Sequence, residues 1–119
     1  MSTVDEWYES LSDSGKDHAQ THATMMVCLQ FSELARKAAT DAEANLQRAL
    51  ARRTQAAQEF ARMRRTASTA ALRTMHDRLA ECDLSVASWC TRAAAALEHL
   101  IRTTTTLELS VRLHVMGMR

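Results

Sequence analysis

Residues 72–100 read LRTMHDRLAECDLSVASWCTRAAAALEHL, and this stretch decides the fold. Stepping along it alternately by three and four gives Leu72, Met75, Leu79, Cys82, Val86, Trp89, Ala93, Ala96 and Leu100. Every stop is apolar. Steps that average 3.5 residues keep one face of a helix turned toward a partner helix, which is the seam of a coiled coil. No glycine or proline interrupts it.

The partner is sought upstream. From Asp17 a second apolar stripe reads Val27, Phe31, Leu34, Ala38, Ala42, Leu46, Ala49, Arg53, Ala56, Phe60, Met63 and Ala67. Its steps are also three or four, with two successive fours after Ala38. Such a stutter locally relaxes a supercoil. Arg53 is the one charge on the stripe and predicts either a snorkelling side chain or an acidic partner. From Ala67 to Leu72 the step is five, across the hydroxyl-rich Thr66-Ala67-Ser68-Thr69, which can cap a helix. This reads as the bend of a hairpin. One unbroken helix with a phase shift is the alternative, because no glycine or proline enforces a turn.

Composition agrees with an all-helical chain. There is no proline, and Gly15 and Gly117 are the only glycines, so 16–116 carry no strong breaker. Compact β folds need turns, and turns usually need those residues. A length of 119 residues allows one domain at most. Aromatics are only 4% of the chain, so a self-contained core would be thin and a helical element leaning on a partner fits better.

Both ends differ from the middle. Thr3-Val4-Asp5-Glu6 reads as a capping box for a short helix over 4–11, closed by a turn at 12–15. After Arg102 comes TTTTLELSVRLHV, in which Leu107, Leu109, Val111, Leu113 and Val115 alternate with polar residues. Period two is a strand signature; the alternative is a continued helix with Leu107, Val111 and Val115 inward. The expected architecture is all-α: a long antiparallel helical hairpin (a coiled coil) with a short N-terminal helix and an extended or strand-like C-terminal tail. The expected segments are 1–16, 17–102 with a bend near 66–70, and 103–119.

Candidate chemistry is sparse. His18 and His22, four apart, share a helical face, a spacing that can bind a metal. No glutamate follows His18 and no third ligand is evident in sequence, so they read as surface histidines. Cys28, Cys82 and Cys90 contain no CxxC, and they fit buried thiols of a reducing, cytoplasmic compartment. His76, the histidine nearest Cys82, is poorly aligned with it. No phosphate loop or catalytic triad stands out. No catalytic residue, metal ligand or cofactor is therefore assigned. No secretory signal is visible, and no apolar run approaches the ~20 residues of a membrane span.

The remaining features point to contacts. Packing residues along the seam are Phe31, Leu34, Leu46, Phe60, Met63, Leu72, Met75, Leu79, Cys82, Val86, Trp89 and Leu100. Partner contacts are assigned to Trp7, Met25, Met26, Leu107, Leu109 and Val111, and to Arg48, Arg52, Arg62 and Arg65 of a basic zone. An acidic protein surface, or the chain's own acidic N-terminus, suits that zone better than nucleic acid. RNA sites usually add stacking aromatics, and the net charge is only +1.

Two passages also carry a family resemblance. DEWYESL (Asp5–Leu11), opening a long helix, resembles the entry to the paired long helices of tektins. TDAEANLQRALARR (Thr40–Arg53) is similar to that family's helices in its Gln, Asn and Arg content. The resemblance spans about residues 4–100, and the family's proline-bearing loop motif is absent. It implies a coiled-coil protein on the microtubules of a cilium or flagellum, with tubulin as a partner.

The functional expectation is a non-enzymatic structural or scaffold subunit of a multi-protein assembly, with the axoneme as one location. Two alternatives stand beside it: a small helical adaptor or chaperone of the secretion or vesicle-tethering kind, and an RNA-associated subunit.

Overall fold

The computed structural model describes residues 13–117, and all the secondary structure among them is helical. Helix α1 runs Asp13–Met63 (51 residues) and α2 runs Thr69–Gly117 (49 residues). The two form a hairpin. The expected short helix over 4–11, with Trp7, lies outside the described residues.

The bend is made without glycine. None of the described residues has a positive φ. The Thr66 and Ala67 amides donate to the Met63 carbonyl at 3.2 and 2.9 Å, closing the last turn of α1. Ser68 then caps α2: its hydroxyl accepts from the Ala71 amide at 3.2 Å, and its carbonyl accepts the first helical bond from Leu72 at 2.9 Å. The hydroxyl cluster thus supplies the acceptor that an orphan amide at a helix start needs.

Both helices keep a strict alternation of three and four. The less exposed face of α2 follows Leu72, Met75, Leu79, Cys82, Val86, Trp89, Ala93, Ala96 and Leu100, then continues through Thr103, Leu107, Ser110 and His114. On α1 the corresponding face is His18, Thr21, Met25, Cys28, Ser32, Ala35, Ala39, Ala42, Leu46, Ala49, Arg53, Ala56, Phe60 and Met63; all but Arg53 are buried or half-buried. From Ala42 onward this is the stripe expected from sequence. Before Ala42 the expected stripe is one position off. Phe31 and Leu34 are not seam residues; they are 58% and 65% exposed, whereas Ser32 and Ala35 are each 3% exposed. No stutter is present, because the smaller residues complete an unbroken heptad.

The tail expectation is also corrected. Residues 103–117 are helical rather than extended. The threonines bend their hydroxyls back onto the preceding turn: Thr103 donates to Leu100 O, Thr105 to Ile101 O and Thr106 to Arg102 O, at 2.9–3.0 Å. The intrinsic penalty of such residues in a helix is at most about 0.7 kcal/mol each, and extending an existing helix avoids the cost of a new nucleus. No strand exists among the described residues for a sheet to form. Val111 and Val115 do not face inward either; Ser110 and His114 do. At the other end, Gly15 belongs to α1 rather than to a turn, a cost of about 1 kcal/mol that a long helix tolerates.

The chain divides into two compact units: Met1–Arg36 with Glu98–Arg119, and Lys37–Leu97. In the second unit Ala42, Ala49 and Ala56 recur every seventh residue at 8% exposure or less. Such small residues let helix axes approach closely, within the ~8–10 Å range of packed helices. The larger Leu, Met, Val and Trp side chains of α2 supply the volume. Arg53 meets Asp83, with Nε to Oδ1 at 2.9 Å, and Arg78 meets Glu59 at 3.4 Å. The Arg92 guanidinium lies 4.7 Å from the centre of the Trp89 ring.

Candidate functional site

Three of the four most buried described side chains of the terminal unit are polar, and many of its large apolar ones are exposed. Among its described residues the buried side chains are Ser32, Ala35, Ser110 and His114. Its exposed side chains include Val27, Phe31, Leu34, Ile101, Leu109, Leu113, Val115 and Met116, at 45–65% exposure. A helix pair that had only itself to stabilise it would place these the other way round.

The apolar residues form stripes rather than scatter. Val27, Phe31 and Leu34 each precede a seam residue by one position, about 100° round the helix. Leu109, Leu113 and Met116 make a second stripe with steps of four and three on α2. Two shallow clefts join the helices on this side. Cys28, Phe31, His99, Arg102, Thr103 and Thr106 line one; Gln20, Thr21, Thr24, Ser110 and Leu113 line the other. Thr24 lies seven residues before Phe31, and Leu113 seven after Thr106, so both clefts open on one face.

At the end of this unit three histidines converge. The His114 ring centre is 4.4 Å from that of His18 and 5.3 Å from that of His22, with interplanar angles of 31° and 52°. The Thr21 hydroxyl donates to the His18 carbonyl at 3.0 Å. That spends its only hydrogen, so toward His114 it accepts, and Nδ1–H of His114 donates to it at 3.1 Å. The neutral ring therefore carries its lone pair on Nε2. Burial, and then the neighbouring His18 and His22, hold the His114 pKa below its ordinary value. The spacing of His18 and His22 was visible in sequence; their third companion, on the other helix, was not.

The other residues singled out from sequence are dispersed. Met25 sits on the seam and Met26 is 41% exposed. Leu107 faces the seam, while Leu109 and Val111 point outward. Arg48 donates to Asn45 Oδ1 at 2.7 Å, and Arg52, Arg62 and Arg65 are exposed. Cys28 and Cys82 are half-buried on the seam; Cys90 is exposed, and all three are free thiols. Leu46, Phe60, Met63, Leu72, Met75, Leu79, Val86, Trp89 and Leu100 are half-buried. Among the described residues no helix is long and apolar enough to cross a membrane. Set against protein-family models, curated proteins and solved structures, the chain matches none.

Proposed function

We propose that the chain is a non-enzymatic structural subunit, a helical hairpin that joins a larger protein assembly through the outer face of its terminal unit. The observation that carries this reading is the inversion of that unit. Phe31, Leu34, Leu113 and Met116 are 58–65% exposed while Ser32, Ser110 and His114 are buried. Burying one such large side chain stabilises by about 1.5–3 kcal/mol, so a partner helix laid along this face gains several such terms. The axonemal setting rests on the tektin resemblance alone and forms no part of the proposal.

Sedimentation and circular dichroism of the isolated chain test it. A structural subunit is helical but self-associates or aggregates, and replacing Phe31 and Leu113 together with aspartate yields a dispersed helical species. A wild-type chain that is a stable monomer, insensitive to that double substitution, contradicts the proposal. A single well-defined oligomer favours the adaptor reading instead.

A further inference from the structure

We infer that copies of this chain stack on one another through the terminal unit, the apolar face described above meeting a second apolar face on the opposite side of the next hairpin. This stacking rests on the assembly role proposed above and names its partner. The second face follows from the seam. Val27, Phe31, Leu34, Leu109 and Leu113 each precede a seam residue by one position, whereas Met26, Leu29, Ile101, Val111 and Val115 each follow one. One position is about 100° of rotation, so the two sets flank the seam on opposite sides of each helix. The preceding residues of both helices meet on one face, as Phe31 does with Thr106 and Thr24 with Leu113 in its clefts. The following residues therefore share the other face. Those five are 37–59% exposed. A helix with one partner needs one apolar stripe. Here both broad faces are apolar, and polar residues such as Gln30, Thr105 and Arg112 stand at the outer edges.

Charge decides which face meets which. The first face carries Arg102 and His99 beside one cleft, with Asp17 at its far end. The second carries the exposed Glu33 and Glu108, with Arg36 beside them and His22 at the far end. Pairing like faces would bring two Arg102 side chains, or four glutamates, into one contact, and like charges select against such a pairing. Pairing unlike faces brings guanidinium to carboxylate. Arg102 reaches Glu98 of its own helix at 2.6 Å, but the two are 70% and 66% exposed, a surface pair weak enough to yield to a docked carboxylate. Shape agrees with charge. The clefts of the first face are grooves, and Val111 and Val115, four apart on α2, form a ridge of the kind that packs into one. A contact between two different faces leaves one of each free at the ends, so the stack grows instead of closing at two chains.

The test uses the full chain under reducing conditions, as wild type and as two variants. Phe31→Asp with Leu113→Asp blocks the first face, and Ile101→Asp with Val115→Asp blocks the second. All four positions are exposed, so each variant is expected to keep the helical signal. Sedimentation of the wild type is expected to give a mass that rises with concentration past the dimer. Each variant alone is expected to stay monomeric, and an equimolar mixture to form one-to-one dimers that grow no further. Arg102→Glu is expected to weaken wild-type association by about tenfold or more, and adding Glu33→Arg and Glu108→Arg to that chain to restore it. A second-face variant that still dimerises alone shows the first face pairing with itself, which overturns the inference and leaves the assembly role standing. So does a mixture that forms no heterodimer. A wild type that is monomeric at every concentration overturns both.

Discussion

Thr21 and His114, 93 residues apart in the chain, are joined by a 3.1 Å hydrogen bond between the Thr21 hydroxyl and the imidazole Nδ1. This contact ties one turn of α1 to one turn of α2 in the terminal unit. Both residues lie on the heptad seam, and neither is apolar. The seam of this unit thus mixes this hydrogen bond with the half-buried Met25, Leu100 and Leu107, while Phe31, Leu34, Leu109 and Leu113 stay exposed.

The register of α1 predicts an asymmetry between neighbours. Ala35 is 3% exposed and Leu34 is 65% exposed. Ala35→Leu forces an extra side chain into a packed seam and is expected to cost about 1–3 kcal/mol. Leu34→Ala is expected to change stability by no more than about 0.5 kcal/mol. Urea unfolding of both variants checks this. The opposite ranking would restore the frame through Phe31 and Leu34.

Arg53 is the one charge on the seam, and its pair with Asp83 is solvent-exposed at 45% and 57%. An exposed pair of this kind contributes about 0–1 kcal/mol. Arg53→Leu gives the heptad an apolar residue and is expected to raise the melting temperature by a few degrees. Asp83→Ala is expected to lower it slightly. Thermal melts of the two variants decide the matter.

Ser68 caps α2 through its hydroxyl. Ser68→Ala is expected to cost about 1 kcal/mol, and Ser68→Gly only a few tenths. Equal, negligible effects in denaturant titrations would show that the bend does not depend on this cap.

Acid sensitivity follows from His114. Its pKa in the fold lies below the ordinary 6.5, first through burial and then through His18 and His22. Between the two values the unfolded chain binds more protons, so stability rises with pH across that window. The contribution is complete above 6.5, is lost as pH falls from there toward the folded value, and is flat below it. The melting temperature is expected to drop from about pH 7.5 to pH 5, and to drop less in His114→Gln. An unchanged slope in the variant would remove His114 from the account.

Much of this fold was legible in the chain, and the reasons for the exceptions are physical. Leu72–Leu100 could be read because its seam residues are apolar. The same frame continues through Thr103, Ser110 and His114, where polarity hides it, and the alternating Leu107–Val115 then imitates a strand. On α1, Phe31 and Leu34 drew the stripe away from Ser32 and Ala35, because size outranks regularity when burial is inferred from hydrophobicity alone. Carrying the strict heptad back from Ala42 would have reached Ser32, Thr21 and His18. His18 and His22 announce themselves by spacing. His114 cannot, since only the fold brings it across.

The hairpin itself is tested most directly by a disulfide between its ends. In a chain whose native cysteines are serines, Thr21→Cys and His114→Cys are introduced together and mild oxidant is added over a range of concentrations. A hairpin cross-links within one chain, giving a compact monomer on denaturing gels at every dilution. If the same pair instead links two chains, with yield rising with concentration, the chain is a continuous rod paired with a second copy, and the account fails.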